Sequence, residues 1–210
     1  MTSSQQASKH DALEELRSST PSWGLTHLDA AIAGNPKAAA SLCVAMDGSA
    51  RGYFAVLLGL EQALPVPAYR AFLDNAWSHD HQHVMSTALI SVETYALEPN
   101  EILDDCFTYA AFALPELPEE VTIYRGTFGL QPEDAEEGIS WTLSRDVGEW
   151  FARREPFRDV FPHENYDKAN GPVLIKGKAW RNHLRYFTND REEQEVVCFW
   201  VRDVEQVPLT

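Results

Sequence analysis

The stretch Ile139-Ser140-Trp141-Thr142-Leu143-Ser144 runs directly into residues 145–154, RDVGEWFARR. Alternating polar and apolar residues in its first part favour a strand. In its second part, apolar residues recur at the spacing of one helix face: Val147, Trp150 and Phe151. Because serine is a preferred residue at helix N-termini, we predict a strand over 139–143 that passes into a helix at Ser144.

Three further stretches around this passage are rich in β-branched and aromatic residues and are predicted to be strands: Val121–Arg125, Val173–Trp180 and Glu195–Val201. Residues 155–172 are expected to form a long loop over a ligand, since loops of that length are uncommon without a function. The segment Pro115-Glu-Leu-Pro118 precedes all of these strands and marks a predicted domain boundary.

Between Leu25 and Leu114 the apolar residues are spaced mostly by three and four, which is typical of helices. Turn sequences interrupt this pattern at four places: Gly34-Asn35-Pro36, Asp47-Gly48, Pro65-Val66-Pro67 and Pro99-Asn100. Five or six helices are therefore predicted, after a disordered segment over residues 1–10. The expected fold class is α+β, with a helical subdomain at 1–115 and a second domain at 116–210.

The charge of the chain limits its partners. It has 17 Lys and Arg against 32 Asp and Glu, a formal net charge of −15 and a sequence pI near 4.8. Such a chain repels polyanions, which argues against general nucleic-acid binding and against binding to anionic membranes. Ten of the basic residues lie between Arg145 and Arg191, so a local site for a small phosphate-bearing molecule stays open.

The cysteines and the N-terminus predict the compartment. Cys43, Cys106 and Cys198 are too few and too far apart for a disulfide framework, so we expect reduced core thiols. The first residues lack the apolar stretch of a signal peptide, and no apolar run is long enough to span a bilayer. A cytoplasmic location is expected, in the producing cell or in a cell that receives the protein.

The second domain contains two motifs with polar side chains at strand positions. Tyr124-Arg125-Gly126 ends a predicted strand, where a guanidinium can bind a phosphate or a ribose and a glycine lets a ligand approach the backbone. Ser140 and Thr142 share one face of their strand, and Trp141 lies on the other. Taken singly, each pattern is better explained without a function, the first by a surface arginine before a turn and the second by an amphipathic edge strand.

A third motif, Arg191-Glu-Glu-Gln-Glu195, opens an apolar strand with acidic residues. In extended conformation Glu193 and Glu195 face the same way, and neighbouring carboxylates raise each other's pKa. The alternative is a solvated charged loop before a core strand.

In this order, the three motifs resemble the mono-ADP-ribosyltransferase family of the Arg, Ser, Glu type. That family has an arginine on a first strand, a Ser-x-Thr/Ser strand and a Glu-x-Glu strand. The resemblance covers about residues 118 to 205 and implies an ADP-ribosyltransferase-like split β-sandwich with NAD as its substrate. It does not extend to the helical subdomain.

The resemblance also implies roles on the NAD side. Arg125 resembles the arginine that contacts the phosphate and the nicotinamide ribose, and Gly126 the backbone that binds the carboxamide. Ser140 resembles the serine that positions the catalytic glutamate, supported by Thr142 on the same strand. Two aromatic residues complete the expected NAD contacts: Trp141 and Phe151.

On the acceptor side, Glu195 resembles the catalytic glutamate and Glu193 the residue that orients the acceptor. A carboxylate stabilises the oxocarbenium-like state formed when an N-glycosidic bond breaks. Nicotinamide leaves as a neutral pyridine, so Glu193 is available to orient or deprotonate a nucleophile, for which an arginine side chain of a protein is the expected acceptor.

Two loops complete the expected site. Tyr186, Phe187 and the polar stretch Thr188–Arg191 occupy the place of the family's target-contacting loop. The long loop 155–172 resembles the one that covers nicotinamide and the phosphates, with four nearby residues in reach: Arg153, Arg154, Phe157 and Arg158.

Other functions remain open. An NAD glycohydrolase would use the same residues with water as acceptor, and an inactive binding or inhibitor module could keep the fold. The setting of a toxin or a phage effector fits all three. His79, His81 and His83 converge on a metal only in a strand, whereas the neighbouring Trp77 and Val84 are predicted to be helix ends, so no metal is predicted. No glycine-rich phosphate loop occurs, so NAD would not be held in a Rossmann manner.

Overall fold

The computed structural model describes residues 3–154 and 165–210. The chain is α+β, 58% helical, with a six-stranded antiparallel sheet. It divides into two compact units between Phe112 and Ala113, and each unit is described by itself below.

The first unit is helical. Its α-helices are α1 (Ser3–Ser19), α2 (Leu25–Ile32), α3 (Pro36–Ala45), α4 (Gly48–Leu60), α5 (Val66–Tyr95) and α6 (Pro99–Ala110). All four predicted turn sequences separate helices, as expected. Asn35 caps α3 by accepting from the Lys37 and Ala38 amides, and Asp47 caps α4 by accepting from the Ala50 amide.

Disorder was predicted over residues 1–10, whereas within the described residues α1 begins at Ser3. Ala12 and Leu16 lie one helical turn apart and are both buried, which gives α1 an apolar edge to pack. The residues before Ala12 are mostly polar, so the sequence pattern did not indicate that the helix begins there.

Helix α5 continues through the histidine-rich segment with a kink at Asp80, whose φ/ψ of −144/37 is not helical. Trp77 and Val84 are therefore inside one kinked helix, although we expected helix ends there. Arg51 on α4 forms an ion pair with Asp80 and also donates to the carbonyls of Cys43 and Met46. The Arg51 guanidinium therefore connects the kink in α5 to the C-terminal end of α3.

The second unit contains all six strands: β1 (Glu120–Phe128), β2 (Ser140–Thr142), β3 (Pro172–Trp180), β4 (Leu184–Thr188), β5 (Glu195–Cys198) and β6 (Arg202–Gln206). Their order in the sheet is β4-β5-β2-β1-β3-β6. Helices α7 (Pro132–Glu136) and α8 (Arg145–Arg153) lie between the strands in sequence. The predicted boundary at residues 115–116 lies between α6 and β1.

The sheet has two halves that are joined narrowly. Strands β1 and β3 pair along their whole length, from Glu120–Trp180 to Phe128–Pro172. Between β1 and β2, within the described residues, the register contains the single pair Tyr124–Thr142. This pair joins the strands β4-β5-β2 to the strands β1-β3-β6.

Four strands lie where the sequence predicted them, whereas β4 and β6 were missed and β5 stops at Cys198 rather than Val201. Strand β4 contains Tyr186 and Phe187, which we had assigned to a loop. Tyr186 is buried and Phe187 packs against the core of this unit. Burial of these two aromatic side chains favours a strand, although the residues that follow them are polar.

Helix α8 starts where predicted, since the Ser144 side chain accepts from the Val147 amide. Its predicted buried face is wrong: Gly148, Glu149 and Ala152 are buried, whereas Trp150 is 53% exposed. The reason is a close approach to β1. A Cβ atom on Gly126 would lie 1.8 Å from the Gly148 carbonyl oxygen, so small residues must form the contact on both elements.

Cys43, Cys106 and Cys198 are buried and form no disulfide within the described residues, in agreement with the prediction of reduced core thiols. Burial raises the pKa of Cys43 and of Cys106 to about 12, so both are thiols at neutral pH. Among the described residues, no helix combines the length and the apolar character that crossing a membrane requires.

Glu149 is a buried carboxylate that joins α8 to the C-terminal residues. It accepts from Arg145 at 3.0 Å, from Arg153 at 2.9 Å and from the Thr210 hydroxyl at 2.8 Å. Hydrogen bonds from Arg145, Thr210 and Arg153 lower the pKa of Glu149 from 4.5 to about 2.

We predict that Glu149→Gln lowers the free energy of unfolding at neutral pH, because Arg145 and Arg153 lose their shared anion. The folded state lowers the pKa, so this stabilisation is present above the unfolded value of 4.5 and is lost as the pH falls toward about 2. Urea unfolding at several pH values measures this stabilisation. The difference in free energy of unfolding between wild type and variant should become smaller below about pH 4.5. Glu116→Gln, which changes an exposed carboxylate of the same unit, is the control. If Glu149→Gln and Glu116→Gln lowered the free energy of unfolding by the same amount, the prediction would be contradicted.

Candidate active site

Three of the residues singled out in the sequence meet where the two halves of the sheet separate. The Ser140 hydroxyl donates to Glu195 Oε1 at 2.6 Å, and Arg125 Nη1 donates to the Ser140 carbonyl at 2.5 Å. Strand pairing explains the first contact: Glu195 is opposite Thr142, and Val197 is opposite Ser140. Ser140 and Glu195 are thus diagonal neighbours on one face.

Arg125 is a half-buried cation with unused hydrogen-bonding capacity. Burial lowers its pKa to about 10, and the charge of Glu195 acts in the opposite direction, so the guanidinium remains charged at neutral pH. Its Nε is buried and has no hydrogen-bond partner among the described residues. Gly138 packs against the guanidinium, because a Cβ atom there would lie 2.0 Å from Cζ.

Thr127 has a related property that the sequence reasoning missed. Its Oγ1 is also buried without a partner within the described part of the chain. Thr127 lies two residues after Arg125 on β1, so both side chains lie on the same face. Side chains two residues apart in a strand share a face, and this spacing from Arg125 could have identified Thr127 from the sequence. Buried polar groups are nearly always hydrogen-bonded in proteins, so these two atoms mark a place where the polar groups of β1 are incompletely satisfied within the described residues.

Glu193 does not lie on β5, contrary to the extended Glu-x-Glu arrangement predicted from the sequence. It follows a short 3-10 turn over Asp190–Glu192 and has helical φ/ψ of −82/−17. Burial raises the pKa of Glu193, opposed by Arg191, and the charge of Glu195 raises it further. The two carboxylates still interact, although a backbone turn rather than strand alternation brings them together.

The turn before β5 is strained. Arg191, Glu192 and Gln194 have positive φ values of 62°, 62° and 47°. Left-handed non-glycine residues cost about 1–3 kcal/mol each and cluster at functional sites. Strand β2 holds the turn in place: the Thr142 hydroxyl donates to the Glu193 carbonyl at 2.7 Å, and the Leu143 amide donates to the Gln194 carbonyl at 3.1 Å.

The remaining predicted contacts have different positions. Thr142 is 5% exposed and its hydroxyl also accepts from the Ser144 amide, so it positions Glu193 instead of facing a ligand. Trp141 is 2% exposed and belongs to the core of the unit, which leaves its ring no accessible surface for NAD. Gly126 lies at the close contact with α8. Phe151 is half-buried on α8 and packs edge-to-face on Trp150 at 4.8 Å.

The two arginines at the end of α8 differ in their partners. Arg153 binds Glu149 and the Thr210 carbonyl, so it belongs to the C-terminal network. Arg154 lies over the Trp150 ring at 5.0 Å and lowers the pKa of Glu193 by its charge, so it is near the acidic pair. Phe157 and Arg158, together with residues 155–164 of the predicted covering loop, lie outside the described residues.

A cavity of about 480 Å³ lies elsewhere in this unit, lined by Glu119, Trp180, Arg181 and Asn182. It is at the start of β1, five residues and roughly 17 Å along the strand from Arg125. It contains none of the interacting polar groups described above, so the chemistry of the chain is not expected there. Among the described residues, no cluster of His, Cys, Asp and Glu could hold a metal ion.

No protein-family model, no curated protein and no solved structure matches this chain. What it does is therefore argued from the site itself.

We predict that Thr142→Val, which keeps the shape of the side chain, destabilises the protein by about 1–3 kcal/mol. The Glu193 carbonyl and the Ser144 amide both lose their hydroxyl partner inside the protein. Urea unfolding measures the loss, and Thr122→Val at an exposed position of β1 is the control. If both variants unfold at the same urea concentration, Thr142 does not hold the turn.

Proposed function

We propose that this chain is an NAD-dependent mono-ADP-ribosyltransferase. It would break the bond between nicotinamide and ribose and transfer ADP-ribose to a protein side chain, with arginine as the expected acceptor. NAD acts as a substrate, and no metal takes part.

The observation that carries the proposal is the chain of contacts Arg125–Ser140–Glu195. The Arg125 guanidinium donates to the main-chain carbonyl of Ser140, and the Ser140 hydroxyl donates to the Glu195 carboxylate. The residues are those that the resemblance in sequence singled out, in the same order. They come from three different strands, and Ser140 is 15 positions from Arg125 and 55 positions from Glu195, so their contact was not imposed by their spacing.

Each group has a physical role in this reaction. Arg125 is a fixed cation with an unpaired buried Nε, suited to a phosphate or a ribose of NAD. The Ser140 hydroxyl restrains one oxygen of Glu195, which reduces the motion of the carboxylate. A preorganised carboxylate stabilises positive charge as it develops on the ribose when nicotinamide leaves.

The narrow junction of the sheet is consistent with this proposal. A split β-sandwich has two groups of strands, and in this sheet the single pair Tyr124–Thr142 joins β4-β5-β2 to β1-β3-β6 within the described residues. We infer an ADP-ribosyltransferase-like fold for the second unit on this ground.

The acceptor side of the proposed site is acidic. Glu193 has a raised pKa and lies next to Glu195, so it can accept a proton from a nucleophile more readily than an ordinary glutamate. Two carboxylates also favour a cationic acceptor over a neutral one. This favours arginine on a protein partner, and it disfavours a nucleic acid.

The proposal predicts that Glu195→Gln lowers the rate of nicotinamide release from NAD by about 10²–10³-fold, because the charge that stabilises the transition state is lost. Ser140→Ala should lower it by about ten-fold, since the carboxylate remains but is less restrained. Chromatographic quantification of nicotinamide measures both. Glu192→Gln changes an exposed carboxylate of the same turn and should keep the wild-type rate.

Equal rates in wild type and Glu195→Gln would overturn the proposal. A free guanidino compound added to the same assay separates transfer from hydrolysis. An ADP-ribosylated guanidine supports the transferase, whereas free ADP-ribose as the only product identifies an NAD glycohydrolase. If the folded wild type releases no nicotinamide, the chain is a catalytically inactive binding or inhibitor module.

A further inference from the structure

One arginine of the chain already occupies the carboxylate that is proposed to bind the acceptor. Arg191 Nη2 lies 3.1 Å from Glu193 Oε2. The guanidinium is exposed, at 63%, whereas the Glu193 side chain is only 19% exposed. The contact thus places a solvent-reachable guanidinium on a largely buried carboxylate.

The backbone produces this contact. With φ of 62° at both Arg191 and Glu192, the chain folds back within two residues, and the Glu193 amide donates to the Asp190 carbonyl. The same turn is fixed to β2 through the Glu193 and Gln194 carbonyls. The Arg191 side chain is therefore delivered to Glu193 by a constrained turn rather than by a flexible tail.

We propose that Arg191 is itself an acceptor, so that the protein modifies its own chain at this residue. The inference rests on the proposed function and names a substrate of the same site. Its physical basis is proximity: a guanidinium held at the acceptor carboxylate has a high effective concentration relative to any external guanidinium.

The reaction balances without a further reactant. The bond between the ribose C1′ of NAD and the nicotinamide nitrogen breaks, and its electron pair leaves with nicotinamide, which becomes neutral. A guanidinium nitrogen of Arg191 forms the new bond to C1′. The proton released from that nitrogen passes to the Glu193 carboxylate, and the modified guanidinium keeps its positive charge.

The electrostatics of Glu193 fit this step. Burial and the charge of Glu195 raise its pKa, which makes the carboxylate a better proton acceptor. Two further arginines of this unit contact other groups. Arg153 binds Glu149, and Arg185 lies over the Trp200 ring at 5.2 Å. Arg185 on β4 is therefore a matched control in the same unit.

The test incubates the full-length protein with NAD and measures three quantities: nicotinamide released, ADP-ribose bound to the protein by intact mass, and its position by peptide fragmentation. We expect one ADP-ribosyl group on Arg191. In R191K, the ratio of bound ADP-ribose to released nicotinamide should fall at least about ten-fold, whereas R185K should keep the wild-type ratio. The half-time should not change when the protein is diluted, because the transfer is within one chain.

The outcomes separate the two proposals. Nicotinamide release with ADP-ribose on a different residue, or free in solution, overturns this inference and leaves the proposed function standing. Modification of Arg191 that slows on dilution also overturns it, since transfer would then occur between chains. If the folded wild type releases no nicotinamide, both proposals fail.

Discussion

The candidate site depends on one partly buried cation. Arg125 lies beside the Tyr124–Thr142 pair that joins β1 to β2, with Nη1 on the Ser140 carbonyl and the charge of Glu195 nearby. Removing a charge from water costs several kcal/mol unless partners compensate, and burial has lowered the pKa of this guanidinium to about 10. The Ser140 carbonyl and the charge of Glu195 supply part of the compensation, whereas Nε has no partner among the described residues. In the proposed function, an anionic, hydroxyl-rich ligand would complete this pairing.

Two glutamates two residues apart acquire different properties through the backbone. Glu195 starts a strand and is restrained by Ser140, whereas Glu193 lies in a strained turn and contacts Arg191. Glu193 has a raised pKa because of burial and of its neighbour. The turn that separates them is held by the hydroxyl of Thr142. In the proposed function, this turn would divide the roles between Glu195, which stabilises charge, and Glu193, which accepts a proton.

Much of the architecture could be predicted because local chemistry determined it. Asn35, Asp47 and Ser144 cap helices as their residue types predict, and the β-branched stretches form strands. Features that depend on tertiary contacts could not be predicted from the sequence. Strand β6 is an edge strand of mainly charged residues, with no apolar alternation to reveal it. The buried face of α8 is set by the contact of Gly148 with Gly126, so its large apolar residues are not the ones that are buried.

The same distinction applies to the site. Arg125, Ser140 and Glu195 could be identified because their spacing and residue types form a pattern, and the structure brings them into contact. The extended arrangement of Glu193 could not have been corrected from the sequence, since non-glycine residues at 191, 192 and 194 rarely adopt positive φ. Trp141 was misassigned because its neighbours face the site, whereas its own side chain belongs to the core.

Titration calorimetry with NAD tests the central claim most directly, because it reports binding to Arg125 without requiring turnover. The account predicts saturable binding to the wild type and at least about ten-fold weaker binding to Arg125→Lys, which keeps a charge but loses the planar donor geometry. Arg181→Lys, with a guanidinium exposed elsewhere in the same unit, should bind as the wild type does. Absence of binding to a folded wild type, or equal affinity in Arg125→Lys, would contradict the account.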